Sequence, residues 1–191
     1  SLEHAPAASV HAHRPSRGDS CGLSLELIAS GVDFFGGGGV LYPTGPKRDQ
    51  PDFFELAQTA GYNIVNTAED IEALSGQSGK TIAINPVLDR SASMNYGIDV
   101  KDPAELRLKD FVRKGIEVLD NDRGFFIMAE GGKVDWAAHA NDACSTILDV
   151  RELDEIVMVS VEFARQYPED TLIVVVGDHE TGGLSVGVGR L

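Results

Sequence analysis

The chain has 191 residues, 42% hydrophobic and 24% charged, the proportions of an ordinary globular protein long enough to bury a full core. Lys and Arg number 16 against 30 Asp and Glu, a formal charge of −14, which argues against nucleic acid or an anionic membrane as a partner, since both demand a basic face. No stretch has the apolar length of a transmembrane helix, and the N-terminus carries no basic segment followed by an apolar one of the kind that marks a signal peptide. The excess acid is compatible with bound divalent cations, which reverse the sign of the field locally. Cys21 and Cys144 permit one disulfide but no thiolate zinc cluster. Both fall in or beside helical patterns, which predicts two unpaired, partly buried thiols.

In chain order, the segment 3–17 (EHAPAASVHAHRPSR) holds three of the five histidines, His4, His11 and His13, each a candidate ligand or simply a helix-surface or loop residue. Arg17 carries a planar guanidinium, the preferred bidentate partner of a phosphate-like group. Leu23, Leu27 and Ile28 predict a short amphipathic helix over 21–30. A strand over 32–35 follows, closed by Gly36 to Gly39. With no Gly-Lys-Ser/Thr ending and no G-x-G-x-x-G spacing, these glycines predict a sharp strand exit rather than a phosphate loop.

A polar loop over 42–51 leads to a helix over 53–60 ended by Gly61. A strand (62–66), a helix (68–74) and another strand (80–85) come next. This alternation predicts one α/β domain over 1–191 with a largely parallel central sheet flanked by helices. Residues 86–103 have no period and read as a surface excursion placed to cover a site. Leu106, Leu108, Phe111, Val112, Ile116 and Leu119 describe a helix over 104–119 packed on the sheet.

The stretch GFFIMAEGGKVDWAAH (124–139) is the most informative. Phe125 to Ala129 read as a buried strand, and Gly131 and Gly132 break it, leaving the Glu130 carboxylate at the strand's end. Asp135 and His139 follow at i and i+4, a spacing that stacks both on one helix face, within reach of one ion. A long helix over 143–166 bears Asp149, Glu152, Asp154 and Glu155, expected as a solvated face. Residues 171–176 are uninterrupted aliphatic and β-branched side chains, expected as a strand buried on both faces. That run leads into Gly177-Asp178-His179-Glu180-Thr181-Gly182-Gly183, so ligand-type residues again follow a strand, where open α/β sheets place their sites. Carboxylates with imidazoles suit Zn²⁺, and an all-oxygen position suits Mg²⁺.

EGGKVDWAAHANDA followed by TLIVVVGDHETGG resembles the metal-binding half of the alkaline phosphatase family. The segment 3–17 resembles that family's H-A-T-P-A-x-x-x-A-H-x-x-x-R, and FFGGGG its glycine-rich strand exit. The resemblance implies an alkaline-phosphatase-like α/β fold, two zinc ions and one magnesium. It assigns Asp135 and His139 to one zinc, Asp178 and His179 to the region of the second, and Glu130 to magnesium. By the same resemblance Arg17 clamps the substrate phosphate, and His4 and Trp136 stand beside the phosphate and magnesium. The implied chemistry is hydrolysis of phosphate monoesters through a phosphoserine in a periplasmic or extracellular enzyme that is commonly a homodimer.

Departures from the family pattern matter as much. The family's Asp-Ser-Ala nucleophile segment is expected ahead of residue 1, and its last zinc histidine well after D-H-E-T-G-G. Asp19-Ser20 falls in the wrong place to substitute. Pro6 stands where the family has a magnesium-binding threonine. The polypeptide by itself is therefore expected to show negligible turnover of p-nitrophenyl phosphate. A related phosphodiesterase or sulfatase of the same superfamily, or a non-catalytic metal- or phosphate-binding domain, are the competing readings.

Overall fold

A computed structural model describes residues 1–4 and 7–183; Pro6, and with it the expectation about a magnesium ligand at that position, lies outside the described residues. Two compact units emerge. One comprises Ser1–Asn95 with Ala104–Glu130, the other Tyr96–Pro103 with the described residues from Gly131 on.

The first unit is built on a three-stranded parallel sheet, β1 (Phe34–Gly37), β2 (Asn63–Val65) and β3 (Thr81–Ile84), in the order β1-β3-β2. Phe34 pairs with Thr81 on one side of the central strand and Asn63 with Thr81 on the other. Every residue of β3 is buried, as its unbroken Thr-Ile-Ala-Ile run requires of a strand covered on both faces. Its alternate side chains enter different cores. Ile82 and Ile84 pack with Leu27, Phe53, Ala57 and Tyr62, whereas Ala83 packs with Val65, Ile71, Leu74 and Phe111.

The helices lie close to where the sequence puts them: α1 (Ser20–Ser30), α2 (Phe53–Thr59), α3 (Ala68–Glu72) and α4 (Leu108–Leu119). Their ends follow from side chains. Asp19 caps α1 through the Gly22 N–H, Asp52 caps α2 through the N–H groups of Phe54 and Glu55, and Thr67 caps α3 through that of Asp70. The glycine run only partly leaves the strand, since Gly36 and Gly37 are the last residues of β1 and the exit is Gly38 and Gly39. A Cβ on Gly38 would lie 2.9 Å from the Ser1 Cα, and the Leu2 N–H donates to the Gly39 carbonyl at 2.9 Å, so small residues let the N-terminal backbone cross there. Glu3 is buried, accepting from the Ser24 hydroxyl at 2.8 Å and the Leu41 N–H at 2.6 Å; burial pushes its carboxyl above the ordinary value against those two bonds.

In the second unit, α5 (Gly132–His139) packs against α6 (Ala143–Ala164), a helix capped by Asp142 through Ser145. A single 3₁₀ turn, Gly97–Asp99, from the 86–103 excursion also packs on α6. Among the described residues no helix is long and apolar enough to cross a membrane.

Four expectations need correction. Residues 125–129 and 171–176 belong to no sheet among the described residues. Phe126 is 77% exposed, Leu172 87% and Val176 77%, so neither run is the buried strand that its composition suggests. Apolar side chains favour burial, but a strand also needs a neighbouring backbone in register with it, which composition does not report. Asp149 is buried rather than solvated, its Oδ1 accepting the Gly97 N–H at 3.0 Å. Cys21 and Cys144 are both free, but Cys144 is exposed rather than partly buried.

Candidate metal centre

The centre forms in the second unit because two short segments meet. On α5, the i,i+4 spacing brings His139 Nε2 to 3.3 Å from Asp135 Oδ1. The loop after residue 176 then brings His179 Nε2 to 3.7 Å from the same oxygen. One donor atom from each of Asp135, His139 and His179 lies within 4.8 Å of the others, a span that one cation could bridge. The two imidazoles stand 5.7 Å apart between ring centroids, tilted by 46°.

Glycine is what permits this approach. A Cβ at Gly182 would collide with the Ala138 carbonyl oxygen and lie 2.6 Å from Asn141 Oδ1, so only a bare Cα lets the loop close on the C-terminal end of α5. Glu180 completes the loop's fold by accepting the Gly183 N–H at 2.6 Å.

The orientation of His179 is set by the backbone of the next residue. Its Nδ1 lies 2.8 Å from the Glu180 carbonyl, which can only accept, so Nδ1 carries the proton and Nε2 presents its lone pair toward Asp135. That backbone bond is the largest cause lifting the His179 pKa above its ordinary value, with the Asp178 charge next. Asp178 Oδ2 is 3.5 Å from His179 Nε2, so the Asp135/His139 and Asp178/His179 pairs adjoin.

The donor set fits a divalent metal on its own chemistry. Asp135 Oδ1 is closed to water and has no hydrogen-bond partner, yet it faces two imidazole nitrogens. A shielded carboxylate oxygen without a donor is costly unless something positive satisfies it. A carboxylate and two imidazoles form a set that Zn²⁺ accepts, with a further position for water or substrate.

Of the remaining sequence candidates, all but Trp136 belong to the first unit. Glu130 is half-buried and accepts the Ala7 N–H at 3.3 Å through Oε2. His4 is half-buried, and Arg17 is exposed with no ion pair among the described residues. Arg14, which the sequence did not single out, is the paired arginine of this segment, 2.9 Å from Glu26 Oε1. His11 stacks edge-on against Phe35 at 5.3 Å with Nε2 buried and unbonded, and burial holds its pKa below the ordinary value. His13 is exposed, its N–H donating to Glu26 at 2.7 Å. Trp136, half-buried on α5, holds the Lys133 ammonium 4.2 Å from its ring centroid; sequence reasoning passed over Lys133, which only an i,i+3 count from Trp136 would have raised.

Similarity to known proteins agrees with the motifs. The chain is 29% identical to alkaline phosphatase 4 of Bacillus subtilis over 97% of its own length and 40% of the relative's. It is 30% identical to the repressible alkaline phosphatase of Saccharomyces cerevisiae over 80% of its own length and 31% of that protein. It thus spans well under half the length of these curated relatives. Among solved structures, a cold-active alkaline phosphatase from Shewanella superposes with a TM-score of 0.83 at 26% identity, covering 98% of this chain and 44% of the other. A variant of the alkaline phosphatase from the Antarctic bacterium TAB5, solved with Mg bound, gives 0.81 at 29% identity over 96% and 51%. The alkaline phosphatase family model matches residues 27–190, and the chain belongs to that family, with its α/β fold.

Proposed function

We propose that this chain supplies metal-holding and phosphate-gripping residues for the hydrolysis of phosphate monoesters. The observation that carries this reading is Asp135 Oδ1, a shielded and unbonded acceptor set between His139 and His179. Asp135 and His139 would hold one zinc, Asp178 and His179 would serve the adjoining zinc, and Glu130 would serve magnesium. Bound divalent ions would supply Lewis-acid stabilisation of the charge on a transferring phosphoryl group.

What the chain's own groups contribute can be derived. The Glu180 carbonyl fixes the His179 tautomer, keeping Nε2 unprotonated toward the ligand side. By the family resemblance, Arg17 would offer its N–H fork to the equatorial phosphate oxygens. His4 and Trp136 would border the same phosphate. The nucleophile, a serine in the reading favoured here, is assigned to none of these residues, and residues 1–191 contain no Asp-Ser-Ala. A periplasmic or extracellular location and a homodimer complete the proposal.

Binding of inorganic phosphate to the Zn²⁺-saturated chain tests it. Phosphate should bind only when Zn²⁺ is present, and Arg17→Ala should weaken it. Phosphate binding indifferent to both the metal and Arg17 would overturn the proposal.

A further inference from the structure

Lys133 occupies an unusual position for a helix-surface lysine. Its ammonium lies 4.2 Å from the ring centroid of Trp136, one turn along α5, and equally 4.2 Å from that of Tyr96, in the distant 86–103 segment. One cation is thus shared by two aromatic faces, each attracted through its ring quadrupole. Tyr96 is not loosely placed. The next residue, Gly97, donates its N–H to the buried Asp149 carboxylate at 3.0 Å, a charge-assisted bond that ties this backbone to α6. A Cβ on Gly97 would lie 2.9 Å from Glu152 Oε1, so the seat fits glycine closely. Asp149 therefore fixes Tyr96, Tyr96 and Trp136 hold Lys133, and Trp136 is the immediate neighbour of Asp135.

We propose that Lys133 is a positioning residue whose ammonium, clamped between Tyr96 and Trp136, fixes the orientation of the Trp136 ring beside the metal centre. Its bearing on the reaction rests on the function proposed above, in which Trp136 borders the phosphate. A ring held by a cation on one face presents its other surfaces in a single orientation, and the bordering wall is then preorganised instead of selected at each binding event.

Trp136 is the chain's one tryptophan, so its emission and near-ultraviolet dichroism report this ring alone. In the 191-residue chain without metal, Lys133→Met and Tyr96→Leu should each raise the acrylamide quenching constant about twofold and flatten the tryptophan dichroism band. Lys133→Arg and Tyr96→Phe, which keep a cation and a ring, should match the wild type. Unchanged quenching in Lys133→Met, or an arginine variant as altered as the methionine one, would overturn the clamp. If Lys133→Met fails to fold, the Tyr96→Leu and Tyr96→Phe pair decides the question alone.

A second arm concerns the reaction. Both disruptive variants should weaken inorganic phosphate binding to the Zn²⁺-loaded chain about threefold while leaving Zn²⁺ affinity unchanged. Tyr96→Leu retains the lysine charge, so weakening shared with Lys133→Met reports orientation and not lost charge. Altered tryptophan signals with undiminished phosphate binding would overturn the positioning role. A wild-type chain that binds Zn²⁺ but no phosphate would instead defeat the functional reading, with the quenching data still judging the clamp.

Discussion

Asp135→Asn is the most informative single change. It replaces a carboxylate by a near-isosteric amide at the atom that faces both imidazoles, at 3.3 Å and 3.7 Å. The side chains of Asp135 and His139 are 37% and 55% exposed, so the high-dielectric limit is the right one. A dication and a carboxylate oxygen about 2.1 Å apart attract by about 4 kcal/mol even at the dielectric constant of bulk water. Desolvating the carboxylate returns part of this, leaving about 2–3 kcal/mol, or roughly a 30- to 150-fold weaker Kd. Titration calorimetry with Zn²⁺ at about pH 8, where free imidazole is neutral, should give a wild-type Kd below about 1 µM. The variant's Kd should rise by the stated factor, while His13→Ala, altering an exposed histidine outside the cluster, should change nothing. The variant's thermal midpoint without metal should not fall, because Asp135 Oδ1 has no hydrogen bond to lose. Equal Zn²⁺ affinity in the two proteins would refute the reasoning.

Four further outcomes follow from the same geometry. Gly182→Ala should push the 177–183 loop off the Ala138 carbonyl and reduce Zn²⁺ affinity by roughly tenfold or more without touching a ligand, since orienting residues around metal sites carry effects of that size; titration calorimetry measures it. Phe111→Ala, emptying a position only 2% exposed, should cost about 3–5 kcal/mol in urea unfolding of the chain. Asp52→Ala removes an acceptor shared by two N–H groups of α2, at 2.8 Å and 3.2 Å, and should cost about 1 kcal/mol in the same assay. His11 is held below its ordinary value of 6.5 by burial, so the unfolded chain takes up its proton first. Its contribution to stability should be complete above about pH 6.5 and be lost as the pH falls below it; His11→Phe should flatten that part of the urea-midpoint profile against pH.

The parts of the fold governed by short-range chemistry were legible. The helical patterns over 21–30, 53–60 and 68–74 become α1, α2 and α3, and the run over 80–85 contains β3. The pairing of Asp135 with His139 is legible for the same reason, because helical spacing alone brings them together. The two runs that read as buried strands failed on long-range grounds. Phe125–Ala129 and 171–176 have the composition of strands, but composition states a preference for burial and says nothing of whether a neighbouring backbone exists to pair with. Asp149 failed in the opposite direction. Its charge predicted solvent, whereas its environment is decided by a backbone N–H that arrives from Gly97, a residue no helical period connects to it.

The same distinction explains how the candidate metal centre is assembled. The motifs suggested two pairs with separate tasks, Asp135 with His139 and Asp178 with His179. What joins them is a contact that neither motif encodes, the approach of the loop carrying His179 to the end of α5. That approach depends on Gly182, where any side chain would meet the Ala138 carbonyl, and on Glu180, whose carbonyl selects the His179 tautomer. The glycines of D-H-E-T-G-G therefore act on the centre without offering it a donor atom. They set the distance at which two locally specified ligand pairs face each other, and a metal site with correct ligands at a wrong separation would hold no ion well.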